Sequence, residues 1–258
     1  MDGSGLARDV DLLWGLREAP RRGPRPALSV DDVVRAAVEV ADADGLAAVS
    51  MARVAEQLGN STMALYRHVR SKDELLALMA DTAVGRPPAA PADLGWREGL
   101  ALWARALLDA VGRHPWYAQL TISGPPVGPG NLAWLDAALA ALAGTGLDEG
   151  EKLGIVMGVL TYTHGQIRLG LDLTAGHAQD PSAFGREYGA QLARVVDAGR
   201  LPALHRAVEA GVFAGGPPDL EFADDLRADF EFGLDLLLDG AAAHIARRAA
   251  GQASKDAR

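Results

Sequence analysis

The 258-residue chain contains no cysteine. Disulfide frameworks, thiolate metal sites and cysteine nucleophiles are therefore excluded. No apolar run approaches the roughly 18 residues of a membrane span, so no membrane partner is predicted. Asp2, Asp9 and Asp11 interrupt the first residues, and no apolar segment follows them. This pattern differs from that of a secretory signal peptide, and a cytoplasmic location is expected.

The chain also lacks the short motifs of common enzymes, among them GxSxG, the Walker phosphate loop, GxGxxG and HExxH. GPPVGPG at 124–130 has the glycines of a phosphate loop, but it lacks the Lys-Ser/Thr pair, and prolines donate no N–H. We interpret it as a linker. No spacing of His, Asp and Glu indicates a metal site. No catalytic residue, cofactor or metal is predicted.

No segment alternates apolar and polar residues as a half-buried strand does. Helical periodicity recurs along the chain instead, which predicts an all-α protein. Beyond the first 84 residues, the predicted helices cover 96–113, a short segment after Pro115, 130–143, 147–172, 181–198, 202–210 and 219–249. A Pro/Gly/Ala-rich stretch at 85–95 predicts a boundary. The expected parts are a basic arm (1–27), a DNA-binding head (28–84), a larger helical domain (85–251) and a tail (252–258).

The net charge of −9 argues at first sight against a nucleic-acid partner. Phosphate binding depends on local charge, however, and not on the total. Most cations between residues 21 and 72 fall into two clusters, whereas most of the acidic excess follows residue 90. Local basic clusters on an acidic chain are consistent with a protein that contacts DNA through those clusters.

Residues 50–72, SMARVAEQLGNSTMALYRHVRSK, have the pattern of a helix-turn-helix. Ser50 is suited to cap the first helix, and Ala55 is small where the two helices must touch. Gly59 can supply the positive φ of the turn. The alternative is a helical hairpin in an ordinary bundle, but the cations around the second helix favour DNA binding.

The segment LSVDDVVRAAVEVADADGLAAVSMARVAEQLGNSTMALYRHVRSKDELLALMADTA resembles the DNA-binding domain of the TetR family of bacterial repressors. The resemblance covers about residues 28–83 and is most specific at LYRHVRSKDELL. It implies a three-helix head, a linking fourth helix, and a larger helical domain that binds a small ligand and dimerises. It also implies a repressor that a small-molecule ligand releases from a near-palindromic DNA operator.

Carried over by position, the DNA contacts of the family fall on Ser50, Ala52, Thr62, Met63, Ala64, Tyr66, Arg67, His68 and Lys72. The chemistry fits, because Tyr66 and His68 can donate to phosphates and Arg67 can read guanine. For His68 the alternative is packing beneath the turn. Ala52 stands where the tetracycline repressors carry a base-reading Arg, and Asn60 stands where an apolar residue is usual. We therefore expect an operator that differs from theirs.

Three further cations, Arg21, Arg22 and Arg25, precede the first helix in the proline-rich stretch PRRGPRPA. Two interpretations remain open. The stretch is either an extended arm that enters a neighbouring minor groove or a solvated tail.

Two long predicted helices are candidates for a homodimer interface. In 147–172 one stripe is apolar (Leu153, Met157, Leu160, His164, Ile167 and Leu171) and another is small (Gly154, Gly158, Thr161 and Gly165). Helix 219–249 has an apolar side formed by Phe222, Leu226, Phe230, Leu234, Leu237, Leu238 and Ile245. Because glycine weakens a helix, a small face indicates close approach by another helix. We expect a homodimer through both helices; packing within one chain is the alternative.

A sensor pocket is typically apolar with a few polar anchors. The candidate ligand-binding residues are Trp103, His114, Trp116, Gln119, Trp134, Tyr162, His164, Gln166 and Arg168. Each has a structural alternative, and a histidine on an apolar stripe is usually a satisfied core residue. Two functional alternatives also stay open. They are a ligand-independent regulator or activator and, more remotely, a helical ligand-binding protein or enzyme with a vestigial head.

Overall fold

The computed structural model describes residues 10–11, 13–15, 28–91, 93–120, 126–175, 181–213 and 222–256. Within these ranges there are ten α-helices and no strand, which confirms the predicted all-α class. The helices are α1 (Val30–Asp44), α2 (Met51–Gln57), α3 (Thr62–Leu65), α4 (Lys72–Ala83), α5 (Trp96–Gly112), α6 (Pro129–Ala141), α7 (Glu149–Ala175), α8 (Pro181–Val195), α9 (Pro202–Glu209) and α10 (Phe222–Asp256). Short 3-10 helices lie at Leu46–Ala48, Pro115–Gln119 and Ala143–Thr145.

Helix α1 begins and ends where its sequence predicts. The Ser29 hydroxyl accepts from the Asp32 amide, and the Asp32 carboxylate accepts from the Ser29 amide, which forms a reciprocal capping box. At the other end Gly45 has a φ of 82°, which a side chain would disfavour. The first helix of the head is therefore fixed at both ends by local chemistry.

The turn between α2 and α3 is a Schellman motif. The Asn60 amide donates to the Ala55 carbonyl, and the Gly59 amide donates to the Glu56 carbonyl. Gly59 adopts a φ of 63°, as the sequence predicts. The Asn60 side chain donates to the Leu58 carbonyl at 2.9 Å. This bond gives a structural reason for the amide at a position where an apolar residue was expected.

The head closes around one apolar core. Val33, Val54, Leu65, Leu75 and Met79 come from α1, α2, α3 and α4, and none of their surface is exposed. The 3-10 helix Pro115–Gln119 adds a further side chain to this core, because Trp116 packs into the same cluster. The head is therefore joined to the following helices through a shared hydrophobic core.

Helix α3 ends at Leu65, so the cations after it lie in a turn. Beyond residue 95, most helix bounds agree with the predicted ones to within a few residues, but the end of the last helix differs more. Helix α10 continues to Asp256 and so includes most of the segment predicted as a tail from residue 252. The proposed boundary between head and larger domain, at 84/85, remains a prediction.

The chain divides into two compact units. The first comprises Met1–His164 with Ala241–Arg258, and the second comprises Gly165–Gly240. In the second unit α8 packs against α9, and the Tyr188 ring meets the Phe213 ring edge-on at a centroid distance of 6.0 Å. No helix in the described ranges is both long enough and apolar enough to cross a membrane.

Candidate nucleic-acid interface

The region after α2 is a short helix followed by a tight turn. Ser61 caps α3 by accepting from the Ala64 amide at 3.3 Å. After Leu65 the chain tightens, because the His68 amide donates to the Leu65 carbonyl three residues back, at 2.8 Å. Arg67 therefore lies in the turn that follows α3.

The side chains of this region are divided between core and solvent. Leu65 is fully buried, whereas Met63 is 71% exposed and Tyr66 is 47% exposed. Arg67 is exposed as well. Large apolar side chains in solvent next to a well-formed core often indicate a contact surface.

Cations surround this surface. Arg67, Arg70 and Lys72 form no ion pair with any residue that the structure describes. Arg53, by contrast, lies 3.3 Å from Asp44 and 3.7 Å from Glu56. The positive charge at the turn is therefore not neutralised from within the described head, and it is available to phosphates.

The structure places the remaining predicted contacts on both sides of the turn. Ser50 is the exposed N-cap of α2, and Ala52, two residues further along, is exposed as well. Thr62, Ala64 and His68 are half-buried. Of the predicted DNA contacts in the arm, Arg21, Arg22 and Arg25 lie outside the described residues.

The tryptophans among the ligand candidates all donate to protein oxygens. Trp103 Nε1 donates to the Trp134 carbonyl at 2.8 Å, and Trp134 Nε1 donates to the carbonyls of Val84 and Gly85. Trp116 Nε1 donates to Asp42 Oδ1 at 2.6 Å. All three rings are buried, which shows a structural role for each of them.

The other candidates are scattered. His114 Nδ1 lies 2.8 Å from Asp42 Oδ1, and Gln119 is exposed at the end of its 3-10 helix. Tyr162 is half-buried in the first unit. Gln166 and Arg168 belong to the second unit, where Arg168 pairs with Asp172 at 3.7 Å. Among the described residues, no three His, Asp or Glu side chains are grouped to hold a metal ion.

One pair of polar side chains stands apart from these, and the sequence reasoning found only half of it. The rings of Tyr117 and His164 are 6.2 Å apart, and the Tyr117 hydroxyl lies 3.5 Å from Asn131 Oδ1. Burial, with a smaller effect of the Asp81 carboxylate, raises the pKa of Tyr117 to about 12. Burial lowers the pKa of His164. Both groups are therefore uncharged near neutral pH.

Asp81 is a second residue that the sequence reasoning missed. Its carboxylate accepts from the Gly130 amide at 3.0 Å, the Asn131 amide at 2.8 Å and the Asn131 side chain at 2.9 Å. The stretch interpreted as a linker at 124–130 thus ends in the first turn of α6, held by α4. The sequence contains one signal of this role: Asp81 lies three residues after Leu78, on the apolar side of α4.

Helix α7 presents two different faces in the first unit. Val156, Val159 and Thr163 are buried, whereas Leu153 and Met157 are 43% and 44% exposed. Two residues of the predicted apolar stripe are therefore exposed within this chain, and the buried residues lie on the adjacent face. The dimer interface expected at the stripe remains a prediction. A Cβ added at Gly154 or Gly158 would meet no atom within 4 Å. Close approach of another helix at these glycines is absent within the described chain.

Comparison with known proteins agrees with this architecture. A family model described as bacterial regulatory proteins, tetR family, matches residues 33–79. A second, described as the tetracyclin repressor-like C-terminal domain, matches residues 87–245. The HTH-type transcriptional repressor DrrR1 of Streptomyces coeruleorubidus is 38% identical over 95% of this chain and 89% of its own length.

More distant relatives extend the likeness. The class A tetracycline repressor of transposon 1721, from Escherichia coli, is 29% identical over 83% of this chain and 91% of its own. The crystal structure of Streptomyces coelicolor ActR in complex with actinorhodin shares the fold, with a TM-score of 0.71 at 24% identity. That alignment covers 85% of this chain and 98% of ActR. The resemblance inferred from the sequence is thereby confirmed, and the chain belongs to the TetR family of bacterial transcriptional regulators.

Proposed function

We propose that the chain is a homodimeric repressor that binds a near-palindromic operator through its two heads and leaves it when a small ligand binds. Regulators of this family bind operators and small ligands and act as dimers. The observation that carries the proposal is the surface formed by α3 and the turn after it, where exposed Met63 and Tyr66 lie beside Arg67. Such a regulator acts in the cytoplasm, and no catalytic role is proposed for it.

The proposed mode of DNA binding assigns roles by chemistry. Thr62, Met63 and Ala64 supply methyl contacts to thymine in the major groove, and Arg67 reads guanine. Ser50, Tyr66, His68 and Lys72 bind phosphates, and Ala52 lies near the DNA without reading a base. Arg21, Arg22 and Arg25 would add contacts in the minor groove beside the site.

Binding of full-length protein to the intergenic DNA beside its own gene tests this mode. The dissociation constant is measured over a salt series for the wild type, Arg67→Ala and Lys72→Ala. Arg200→Ala is the matched control, because Arg200 is an exposed arginine of the second unit. We expect Lys72→Ala to reduce the salt slope by about one and Arg67→Ala to relax base preference at one position. Binding without preference over random DNA would contradict the proposal.

A truncated chain that begins at residue 27 tests the arm separately. If the arm enters the minor groove, the truncation weakens binding and lowers its salt dependence. If the arm is a solvated tail, the truncated and full-length chains bind alike.

The exposed face of α7 supports a dimer. Leu153 and Met157 are exposed beside Gly154 and Gly158, and no described atom lies within 4 Å of a Cβ added at either glycine. In the second unit, Phe232 of α10 is 70% exposed. Burial against a second copy accounts for both features through the two segments expected from the sequence, 147–172 and 219–249.

Sedimentation tests the dimer with two substitutions on the same helix. Gly158→Leu places a large side chain where a partner helix would approach, and it should shift the protein towards monomer. Asp172→Ala is the control, since Asp172 is an exposed residue of α7 that pairs only with Arg168 among the described residues. A Gly158→Leu protein that remains dimeric would remove this face from the interface.

For the ligand, the Tyr117–His164 pair supports a site for an uncharged molecule. A neutral phenol and a neutral imidazole offer hydrogen bonds without a charge, so they favour an apolar, aromatic ligand with hydroxyl or carbonyl groups. The names of the tetracycline repressor and of the ActR–actinorhodin complex are consistent with this class. Tyr162, His164 and Gln166 remain candidate contacts, whereas Trp103, Trp116 and Trp134 are assigned to the framework.

Quenching of tryptophan fluorescence by a panel of hydroxylated polycyclic aromatics tests this class. We expect Tyr117→Phe to weaken the best binder, and Tyr188→Phe in the second unit to leave it unchanged. Ligand and operator should weaken each other's binding by the same factor. Equal ligand affinity with and without operator would show that the ligand does not control repression.

A further inference from the structure

Helices α4 and α6 cap each other's ends. Helix α6 has Gly128 as its N-cap, which offers no side-chain acceptor, and Pro129 follows without an N–H. The first free amides, those of Gly130 and Asn131, donate to Asp81 of α4 at 3.0 and 2.8 Å. The cap that α6 lacks in its own sequence is therefore supplied by a helix about fifty residues earlier.

A side chain of α6 in turn caps the C-terminus of α4. Trp134 Nε1 donates to the Val84 carbonyl at 3.2 Å and to the Gly85 carbonyl at 3.1 Å, at the C-terminus of α4. Trp134 is 4% exposed, and Trp103 fixes its backbone by donating to its carbonyl at 2.8 Å. A negative side chain thus meets an N-terminus, and an N–H meets a C-terminus, as the two helix dipoles favour.

The glycines of the α6 start permit this approach. A Cβ at Gly130 would overlap the backbone oxygen of Asp81, and a Cβ at Gly128 would overlap the Asp81 carboxylate. Neither glycine has a positive φ, so the backbone conformation does not require them. Space for Asp81 is the physical reason for glycine at both positions.

The contact connects the DNA-binding part of the chain to the helices beyond it. Helix α4 begins at Lys72, a proposed phosphate contact, and packs into the head core through Leu75 and Met79. Its last turn is the part held by α6. A second connection exists at Asp42 of α1, which accepts from Trp116 Nε1. The head is thus held at Asp42 of α1 and at Asp81 of α4. The second of these contacts lies on the helix that begins with Lys72.

We infer that Asp81 is a positioning residue for operator recognition: with the first turn of α6 it fixes the orientation of the head, and so the separation of operator half-sites that a dimer accepts. The inference rests on the proposed dimeric function. The inference distinguishes base preference from half-site spacing, two properties that the loss of a direct DNA contact would change together. The bases preferred within a half-site depend on α3 and the turn after it, whereas the preferred spacing between half-sites depends on Asp81.

The test begins with the wild-type full-length protein and a pool of random duplex DNA. From the site that it selects, a series of duplexes is made with the half-sites moved by one to three base pairs. We expect wild-type affinity to fall on the order of tenfold at the first step, because each added base pair turns one half-site by about 36°. Asp81→Asn should lose roughly threefold or less at that step, because a looser head can follow the rotation. Its base preference should match that of the wild type.

Two further variants complete the test. Asp136→Asn removes one negative charge from an exposed position of α6 and should keep the wild-type spacing profile. Gly130→Ala disturbs the contact from the α6 side and should broaden the spacing profile as Asp81→Asn does, although alanine favours a helix. If Asp81→Asn does not fold, Gly130→Ala gives the answer.

Spacing profiles are the decisive readout, because a merely structural role would not alter them. Equal weakening of the variants at every spacing, or profiles that superimpose on the wild-type profile, would overturn the inference while leaving the proposed function intact. Failure of the wild type to select DNA with two half-sites would overturn the proposed function, and the inference with it. Broadened profiles in Asp81→Asn and Gly130→Ala, with base preference retained, would support it.

Discussion

The head surface proposed to contact DNA and the surroundings of Tyr117 differ in how far apart in sequence their determinants lie. In α3 and the turn after it, Met63 and Tyr66 are exposed, whereas Leu65 is fully buried. Residues close in sequence determine which of these side chains are exposed. The Tyr117 hydroxyl lies near Asn131 and the Tyr117 ring lies near that of His164, and these two partners come from two other helices. The proposed DNA surface is thus organised locally, whereas the proposed ligand site depends on partners from distant parts of the chain.

The largest expected difference within the head is between two residues of α3, Leu65 and Met63. Leu65→Ala should lower the free energy of unfolding by about 2–5 kcal/mol, because it opens a cavity in a closed core. Met63→Ala should change it by only about 0.5 kcal/mol, since the side chain is 71% exposed. Urea unfolding of the full chain at one fixed protein concentration measures both. Similar losses for the two variants would mean that Met63 is buried in the dimer or in the folded core.

The buried tyrosine gives the next largest effect, at high pH. The unfolded Tyr117 titrates near its ordinary value of 10, whereas burial raises the folded pKa to about 12. Between these values only the unfolded chain releases the proton, so rising pH favours unfolding, by at most roughly 3 kcal/mol for two pKa units. Tyr117→Phe should therefore flatten the alkaline limb of stability against pH.

Unfolding at a series of pH values from 9 to 12 checks this, with the exposed Tyr66→Phe as the matched control. The control removes a phenol that is 47% exposed, so its alkaline limb should follow that of the wild type. An unchanged limb in Tyr117→Phe would show that the hydroxyl reaches solvent in the folded protein.

The head could be predicted in detail because its determinants are close in sequence. The Ser29–Asp32 capping box, the Gly59 turn and the apolar spacing of α1 and α2 act over three to five residues, and Gly59 has the positive φ that the sequence predicts. The end of α3 could not be predicted. Leu65 is buried, and the chain tightens there into the turn that precedes Val69, also fully buried. That burial depends on the other helices of the head.

The candidate ligand site was only partly predictable for the same reason. Periodicity indicated that His164 lies on an apolar helix, but not that its neighbour is Tyr117. Periodicity also did not distinguish the tryptophans from ligand-binding residues. Their N–H groups donate to oxygens on other segments, as that of Trp116 donates to Asp42. A hydrogen bond between residues more than seventy positions apart leaves no local pattern. The exposed glycine face of α7 was indicated by composition, but which apolar residues of α7 are buried within the chain was not.

A smaller effect distinguishes the two roles of Ser50, which both caps α2 and faces the proposed DNA. Its hydroxyl accepts from the Arg53 amide at 3.1 Å, so Ser50→Ala should cost about 1 kcal/mol of stability. Ser50→Asp retains a cap acceptor and should keep that stability, but its charge repels phosphate. It should therefore weaken operator binding more than Ser50→Ala does.

The capping serine of α1 is the matched control, because Ser29 accepts from the Asp32 amide at 3.2 Å within a capping box. Ser29→Ala should lose similar stability, and the salt slope of operator binding should stay at the wild-type value. Thermal unfolding and a salt series of operator binding measure the two properties. If Ser50→Asp binds the operator as tightly as the wild type, Ser50 does not lie beside a phosphate.

The smallest expected effect, at acidic pH, concerns the other half of the buried pair. Burial lowers the folded pKa of His164 below its ordinary value of 6.5. As pH falls below 6.5, His164 binds a proton in the unfolded chain but not in the folded chain. Stability therefore declines until the pH passes the pKa of His164 in the folded chain. His164→Gln removes this titration and should flatten the acid limb of stability against pH. Imidazole NMR of the folded wild type measures the pKa directly; a value at or above 6.5 would show that His164 is solvated, and the proposed site for an uncharged ligand would then lose its neutral imidazole.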